Sequence, residues 1–479
     1  MTRPAVTTAA PALDASFLDA LRAAVGAAHV SIDDEQRRQY GMDALKKGRP
    51  ADVVVHPGSP EEVSAVLAAC SAHRVPVVPR GGGTGYTGGA VPTAGGVVLA
   101  LDRLDRILEI DELNLLAVVE CHVITGDLQR AVEAVGLFYP PDPASLATST
   151  IGGNVAECAG GPRAFKYGVT KRYILGLEAV LASGEIIHTG GKSVKNVVGY
   201  DLTQLLTGSE GTLAVITKVI VRLIPLPPTQ VTLRASFVDI GAAVAAVTNL
   251  IRARVIPSAL ELIDADSLEA VARQLETRAL APPGTGAILL LEVDGLEQAA
   301  REEARRVDQS CREAGATEVL VAHDQATRDE LWRVRRALST SLKVLAPLKI
   351  NHDVVVPRGR VPELFALIAR IRRDYRLLIP CFGHVGDGNI HVNMLLDPAD
   401  EDMIARSHAA EQVLFEGVVA LEGSISGEHG IGFSKLPFLH LELTPIEIDL
   451  LRRIKAAFDP LNILNPGKVF PPQTDGGAP

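Results

Sequence analysis

The chain has 479 residues, of which 47% are hydrophobic and 22% are charged, and its net charge at pH 7 is −10. This composition is typical of a soluble globular protein with two or three domains and excludes a disordered chain. The acidic balance argues against nucleic acid or an anionic membrane as a partner, because phosphate binding needs clustered Lys and Arg. No apolar run reaches the roughly 18 residues of a membrane span.

The N-terminal residues 1–16 are rich in Ala, Thr and Pro and lack the apolar segment of a signal peptide. We therefore expect a cytoplasmic chain with a disordered leader, followed by an amphipathic helix over 17–25 within a lead-in that extends to residue 48. The five cysteines are scattered and include no C-x-x-C. This pattern fits a reducing compartment and excludes an iron–sulfur cluster held by these cysteines alone.

A glycine-rich stretch at residues 79–89, P-R-G-G-G-T-G-Y-T-G-G, lies between two apolar runs that read as strands, 75–78 and 97–101. A glycine backbone can approach a ligand closely, and its successive N–H groups suit phosphate. The letters G-T-G-Y-T-G match the dinucleotide fingerprint, but that device requires a helix to begin at the glycines. The following strand predicts a different phosphate cradle, and a flexible linker is the alternative interpretation.

A second stretch of small residues, S-T-I-G-G-N-V-A-E-C-A-G-G, occupies 149–161. We predict that both stretches are loops and form two walls of one site for an elongated ligand. The motif G-S-E-G-T-L at 208–213 then leads into a long strand, and the proline cluster at 225–228 predicts a domain boundary. Beyond it, strands and helices alternate, which indicates an α+β layer with an antiparallel sheet.

The motif H-V-G-D-G-N-I-H-V-N at 384–393 predicts a hairpin that turns at 386–388. His391 and Asn393 share one face of its second strand, and the turn folds His384 toward the same face. A later loop, G-E-H-G-I-G, adds Glu428 and His429. Two histidines and a glutamate are a common transition-metal set, and a hydrogen-bonded histidine cluster without metal is the alternative.

A helix predicted over 327–342 carries Arg335 in the middle of its apolar stripe. A buried guanidinium needs an anionic partner. Either a salt bridge to a neighbouring acidic residue or a substrate carboxylate satisfies this requirement.

In this order, the motifs resemble the vanillyl-alcohol oxidase / p-cresol methylhydroxylase flavoprotein superfamily, and they include the closing motif D-P-L-N-I-L-N-P-G-K at 459–468. The most similar branch contains the FAD subunit of glycolate oxidase, D-lactate dehydrogenase and D-2-hydroxyglutarate dehydrogenase. The resemblance implies an α+β fold with a two-part FAD-binding domain at 49–228 and an α+β substrate domain at 229–440. A helical C-terminal segment, 441–479, returns to the flavin, and the tail after residue 470 is expected to be disordered.

The resemblance implies FAD as the cofactor, held without a covalent bond because the first glycine stretch has neither His nor Cys. The residues that it implies for FAD binding are Pro79, Arg80, Gly81, Gly82, Gly83, Thr84, Gly85, Gly88, Ser149, Thr150, Gly152, Gly153, Asn154, Gly160, Gly161, Thr170, Glu210, Gly211, Ile216 and Asn465.

The resemblance also implies a divalent metal, zinc or manganese, with the ligands His384, His391 and Glu428. The implied catalytic residues are His429, Arg335, Lys349 and Asn393. Of these, His429 is the general base that acts while a hydride passes to flavin N5, and Arg335 grips the substrate carboxylate. Lys349 lies two residues before the position at which the hydroxyglutarate-oxidising branch has a lysine, so it shares that face of the strand.

The implied reaction is oxidation of a D-2-hydroxyacid to the 2-oxoacid, with D-lactate, glycolate and D-2-hydroxyglutarate all open. The electrons then pass to an electron-transfer flavoprotein, a quinone or a partner subunit. Two alternatives remain: an FAD subunit that is active only in a larger complex, and a flavin-binding redox protein without turnover. A homodimer also remains open.

Overall fold

The computed structural model describes residues 13–276 and 281–471, which form two units. Among these residues the first unit comprises 13–159, 169–226 and 428–471, and the second comprises 160–168 and 227–427. The leader and tail predictions lie largely outside the described residues. Ala15 and Ser16, which the sequence places in the leader, instead belong to the first helix, Ala15–Val25.

The first sheet of the first unit carries the first glycine stretch. Its strands, in spatial order, are Val30–Ser31, Val53–Val55, Val97–Ala100 and Val77–Arg80. The last three are parallel, and their valines are buried, as the β-branched interior of a parallel sheet requires. Residues 81–96 connect two of these strands without a helix, which confirms that the glycines do not form a dinucleotide fingerprint.

The second sheet of this unit is antiparallel, so the unit is built on two separate sheets. Its strands, in spatial order, are Ile107–Asp111, Leu116–Glu120, Val215–Arg222, Ile174–Val180 and Ile186–Gly190. A short antiparallel pair is formed by Leu137–Phe138 and Ile224–Pro225. The strand Val215–Arg222 contains a register shift next to Ile216, one of the residues implied for FAD binding.

One sequence prediction in this unit is wrong, because the second glycine stretch is partly helical. Its residues Ile151–Glu157 form a helix whose N-cap, Thr150, accepts a hydrogen bond from Gly153 N at 3.2 Å. A threonine cap thus outweighs the low helix propensity of two glycines. The α-helices of the unit are Ala15–Val25, Asp34–Tyr40, Pro60–His73, Thr125–Glu133, Ile151–Glu157, Leu202–Leu206, Leu439–Glu442 and Pro445–Phe458. Its 3₁₀ turns are Ala27–His29, Thr170–Tyr173 and Leu436–Phe438.

The second unit is built on one sheet of seven strands, and every adjacent pair is antiparallel, as predicted. The strands, in spatial order, are Glu318–Val321, Thr229–Phe237, Ala287–Gly295, Ala259–Asp264, Cys381–Gly383, Asn389–Leu396 and Leu348–Val355.

The helix Gln325–Ser341 places Arg335 in the interior of this unit. Val334 and Leu338 join a buried apolar cluster, and Arg335 is only 5% exposed. The other α-helices of the unit are Ala164–Tyr167, Ile240–Arg252, Ala265–Gln274, Glu297–Glu313, Val361–Tyr375 and Glu401–Ala420, and its 3₁₀ turns are Leu342–Val344 and Arg358–Arg360. Among the described residues of both units, no helix is long and apolar enough to cross a membrane.

Candidate functional site

The two glycine-rich stretches lie against each other in the first unit. A Cβ atom on Gly81 would collide with Thr150 Oγ1, and one on Gly82 would collide with the carbonyl oxygen of Thr148. Gly83 and Gly88 have φ values of +65° and +83°, a region that favours glycine. The backbone is thus packed so closely that side chains are excluded, which fits a cradle for the pyrophosphate of FAD.

Arg80 packs between the first glycine stretch and the N-terminal lead-in. Its Nη1 atom donates to the carbonyl oxygen of Met42 at 2.6 Å, and its guanidinium carbon lies 5.4 Å from the centre of the Tyr40 ring. A Cβ atom on Gly83 would collide with the same guanidinium group. Arg80 therefore joins the lead-in to the base of the cradle.

The polar side chains of the second stretch hold its shape. Asn154 Nδ2 donates to Thr125 Oγ1 at 2.7 Å, and Thr125 Oγ1 donates to the carbonyl oxygen of Ser149 at 3.0 Å. Thr170 Oγ1 donates to the carbonyl oxygen of Ala159 at 2.7 Å. Asn154 and Thr170, both implied for FAD binding, thus fix the backbone that forms the wall.

The C-terminal segment is tied to the cradle through Asn465. Its Nδ2 atom donates to the carbonyl oxygens of Gly89 at 2.8 Å and Glu210 at 2.7 Å. The neighbouring Gly211 leaves no room for a side chain, since a Cβ atom there would lie 2.6 Å from Pro79 Cγ. Pro79, Gly211 and Asn465, which are distant in sequence but implied for one cofactor, are therefore neighbours in the first unit, whereas Gly160 and Gly161 belong to the second.

We expect Gly82→Ala to weaken FAD binding, because the added methyl group forces the two stretches apart. Overpacking of this kind costs about 1–3 kcal/mol, which corresponds to roughly a 5- to 140-fold fall in affinity. Fluorescence titration of the FAD-free chain with FAD measures the change. Gly359→Ala is the control, because a Cβ atom there meets nothing within 4 Å. Equal affinity in the two variants would contradict the cradle.

His429 is held against the first glycine stretch. Thr87 Oγ1 donates to the carbonyl oxygen of His429 at 2.9 Å, and the imidazole centroid lies 5.3 Å from that of Tyr86. Farther along the loop, the carboxylate of Glu210 accepts hydrogen bonds from Ile431 N at 2.7 Å and from Gly432 N at 2.8 Å. The backbone that carries His429 is thus fixed on both sides of Gly430.

Three ionisable groups near this loop, of which Asp43 and Lys468 are buried and Glu157 is half-buried, were not singled out from the sequence. Desolvation and the nearby Glu210 raise the pKa of Glu157 well above its usual range, and burial raises the pKa of Asp43 to about 6. Burial lowers the pKa of Lys468 to about 8, and its Nζ atom donates to the carbonyl oxygen of Val91 at 2.6 Å. Glu157 could have been noticed in the sequence, because it is the one carboxyl group within the stretch of small residues at 149–161.

The second unit brings the two histidines of the hairpin motif together. The strands Cys381–Gly383 and Asn389–Leu396 pair antiparallel, which confirms the predicted hairpin. The rings of His384 and His391 lie 5.3 Å apart and nearly perpendicular, at 83°. Both side chains are buried. Two buried imidazoles at this separation fit the donor set of a divalent transition metal.

Asp353 is an acid beside these histidines that the sequence analysis did not assign to the site. It is paired with His391 across two strands, and its Oδ1 atom lies 3.9 Å from His391 Nδ1. The same oxygen accepts a hydrogen bond from Asn389 Nδ2 at 2.7 Å. The backbone oxygen of Asp353 accepts from Gly427 N at 3.2 Å, one residue before Glu428 in the chain.

Asn393 and Lys349 lie on the same part of the sheet as Asp353, but each has a structural partner. Asn393 Oδ1 accepts a hydrogen bond from Asn351 Nδ2 at 2.7 Å. Lys349 Nζ donates to Ser339 Oγ at 2.6 Å, and burial, with a smaller effect of Lys343, lowers the pKa of Lys349 to about 8. Since side chains alternate along a strand, Lys349 and Asn351 share a face.

Arg335 makes the salt bridge that the sequence left as one of two possibilities. Its Nε atom donates to the carboxylate of Glu261, which also lies 2.5 Å from His384 Nδ1. Burial opposes ionisation of Glu261, but Arg335 and His384 lower the pKa of its carboxyl group to about 2. The terminal amino groups of Arg335 make no hydrogen bond to the described residues, so they are available to an anionic ligand.

Sequence comparisons agree with this architecture. Residues 51–190 match the FAD binding domain family, and residues 226–469 match the family of FAD linked oxidases, C-terminal domain. The chain is 44% identical to glycolate oxidase subunit GlcD of Bacillus subtilis, over 92% of this chain and 94% of that protein. It is 40% identical to a D-lactate dehydrogenase of Archaeoglobus fulgidus, over 87% of this chain and 91% of that protein.

Two solved structures show the same fold at low sequence identity. p-Cresol methylhydroxylase aligns with a TM-score of 0.78 and 19% identity, over 95% of this chain and 96% of that chain. 4-Ethylphenol oxidase from Gulosibacter chungangensis aligns with a TM-score of 0.76 and 21% identity, over 97% of this chain and 99% of that chain.

The family matches define a FAD-linked oxidoreductase, and its fold is that of p-cresol methylhydroxylase. Within that class, the chain belongs to the FAD-linked oxidase family, in the branch that includes glycolate oxidase subunit GlcD and D-lactate dehydrogenase.

Proposed function

We propose that the protein oxidises a D-2-hydroxyacid to the 2-oxoacid, with dissociable FAD as the oxidant and a divalent ion, zinc or manganese, in the site. The observation that carries the proposal is the buried polar cluster of the second unit, in which Arg335, Glu261, His384 and His391 lie together. Relatives named glycolate oxidase subunit and D-lactate dehydrogenase support it, because glycolate and lactate are both 2-hydroxyacids.

The metal ligands in this proposal are His384, His391 and Glu428. The first two are buried side by side, and the loop that carries Glu428 is anchored one residue earlier by the bond between Gly427 and Asp353. Asp353 lies next to His391. A carboxylate beside an imidazole ligand orients the ring and raises its basicity.

Two other side chains act on the substrate. Arg335 presents its terminal amino groups to the substrate carboxylate, a geometry suited to two parallel hydrogen bonds. His429 accepts the hydroxyl proton as the general base. When bound, FAD would supply the acceptor for the hydride of the substrate carbon, and the divalent ion would supply the positive charge that lowers the pKa of the substrate hydroxyl group.

Anaerobic mixing of the FAD-loaded chain with D-lactate, glycolate or D-2-hydroxyglutarate tests the function. We expect one or more of these acids to bleach the flavin absorbance. A flavin that no 2-hydroxyacid reduces would refute the proposal and favour the redox protein without turnover.

A second candidate is favoured by the Bacillus subtilis relative, because that protein is a subunit of glycolate oxidase. In this case the isolated chain is reduced by substrate, but its electrons leave only through a partner chain. Since the five cysteines lack iron–sulfur spacing, an external acceptor is required in either case: a quinone, an electron-transfer flavoprotein or a partner subunit. Reduction of the flavin without reduction of a soluble dye would support the partner-dependent form.

The scattered cysteines also support our proposal that the protein is cytoplasmic, because they fit a reducing compartment.

We expect Lys349→Met to identify the part of the substrate that this lysine contacts. If Lys349 binds a distal carboxylate, KM for D-2-hydroxyglutarate rises by roughly tenfold or more, the effect of a lost charge-assisted hydrogen bond, and KM for D-lactate stays constant. Steady-state kinetics on the three acids measure the change, with Lys343→Met, an exposed lysine, as the control. Equal losses on all three acids would place Lys349 at the C1 carboxylate, and no loss would exclude it from the site.

A further inference from the structure

Glu261 is a fully buried carboxylate that lies outside the sequence motifs assigned to the site. It lies in the strand Ala259–Asp264 between the apolar residues Leu260 and Leu262. Arg335 Nε donates to one of its oxygens, and the other lies 2.5 Å from His384 Nδ1. One carboxylate therefore contacts both the arginine and one of the histidines of the cluster.

These two contacts determine which atoms of His384 and Arg335 remain available to bind a metal ion or a substrate. When His384 donates Nδ1–H to Glu261, the lone pair is on Nε2, the form of imidazole that binds a metal. When Arg335 uses Nε on Glu261, its two terminal amino groups remain for another anion. The guanidinium carbon also lies 5.3 Å from the centre of the Phe382 ring, which restricts the orientation of the guanidinium plane.

We propose that Glu261 is a positioning residue that sets the metal-binding tautomer of His384 and the orientation of Arg335 toward the substrate carboxylate. The inference rests on the proposed function, because it takes His384 as a metal ligand and Arg335 as the carboxylate clamp. It predicts that one substitution weakens metal binding and substrate binding together, although the two partners lie on different elements of the unit.

Loss of a buried ion pair with only a structural role would lower Tm without weakening metal or substrate binding. Glu292 is such a buried carboxylate in this chain and serves as the comparison for Glu261. Glu292 lies on the adjacent strand, Ala287–Gly295, and is also buried. It accepts hydrogen bonds from Arg328 Nε at 3.2 Å and Trp332 Nε1 at 3.0 Å, both on the helix that carries Arg335. None of these bonds involves a histidine. Substitution of Glu292 therefore measures how far the loss of a buried carboxylate lowers Tm, without an effect on a metal ligand.

The experiment compares Glu261→Gln with Glu292→Gln in the FAD-loaded chain. Zinc and manganese affinities are measured by competition with a chromophoric chelator, and KM and kcat are measured on the best 2-hydroxyacid. For Glu261→Gln we expect metal affinity to fall roughly 10- to 100-fold, the usual effect of losing a partner of a metal-binding histidine. KM should rise by roughly tenfold, the effect of a lost charge-assisted hydrogen bond.

Glu292→Gln should lower Tm but leave metal affinity and KM unchanged. Metal affinity and KM at wild-type values in Glu261→Gln, with a lower Tm, would overturn the inference. If Glu261→Gln does not fold, Glu261→Asp retains the charge but shortens the reach. It should also weaken metal binding, and unchanged metal affinity in this variant would refute the positioning role.

The wild-type chain separates this inference from the proposed function. A wild-type protein that binds neither zinc nor manganese would refute the metal part of the proposed function, and with it the role of Glu261. A wild-type protein that binds metal as tightly as Glu261→Gln does would refute the inference alone.

Discussion

Replacing His429 by Asn is expected to slow reduction of the bound flavin by a 2-hydroxyacid by roughly 10²- to 10⁴-fold, the usual effect of losing a general base. The FAD spectrum should be preserved, because the contact of His429 with the first glycine stretch that fixes its backbone is made by its carbonyl oxygen, which accepts from Thr87. Anaerobic stopped-flow measurement of flavin absorbance gives the rate.

Chemical rescue separates a base from a merely structural histidine. Added imidazole should partly restore the rate of flavin reduction in His429→Asn but should not accelerate the wild-type protein. His408→Ala, in an exposed part of the helix Glu401–Ala420, is the control and should keep the wild-type rate. A His429→Asn variant that reduces flavin at the wild-type rate would assign the base elsewhere.

The sequence was most informative where local chemistry determines local structure. The unbroken apolar segment Val97–Ala100 predicted a strand after the first glycine stretch, and the structure has a strand there. Because the dinucleotide fingerprint requires a helix at this point, the prediction that the glycines are a different device was correct. The hairpin around 386–388 was predicted from its glycines, which relieve the strain of a tight turn. Its two histidines then followed from the alternation of side chains along a strand.

The second glycine stretch shows where local reasoning fails. Its glycines predicted a loop, but Thr150 caps a helix at this point, and the packing of Gly152 against Cys121 leaves no room for a larger residue. Gly152 is therefore required by close packing rather than by backbone flexibility. Such a requirement comes from a neighbour that is distant in sequence, so a single sequence does not reveal it.

The residues that the sequence missed share one property, which is that their partners come from other elements. Glu261 contacts His384 and Arg335, which follow it much later in the chain. Asp353 reaches His391 only through the pairing of two strands. A charged residue inside an apolar strand was the available signal for Glu261. Its partners could not be identified without the sheet topology.

Removal of the divalent ion by a chelator should slow flavin reduction by about a thousand-fold or more without releasing FAD. The physical reason is that a metal ion stabilises developing negative charge on oxygen by several kcal/mol, and each 1.36 kcal/mol corresponds to a tenfold change in rate. FAD should stay bound, because neither His384 nor His391 is among the residues proposed to hold it. Elemental analysis and flavin absorbance measure the two cofactors separately.

Substitution of the ligands should reproduce the effect of the chelator. His384→Ala and His391→Ala are expected to copurify with FAD but not with zinc or manganese, and added metal should restore the chelated wild-type protein but not these variants. His352→Ala is the matched control: this buried histidine is on the strand paired with that of His391, but its ring packs 5.3 Å from that of Phe415. It should therefore retain the metal even if its Tm is lower. Wild-type protein that is fully active although elemental analysis finds no metal would show that the two histidines serve the fold or the substrate without an ion.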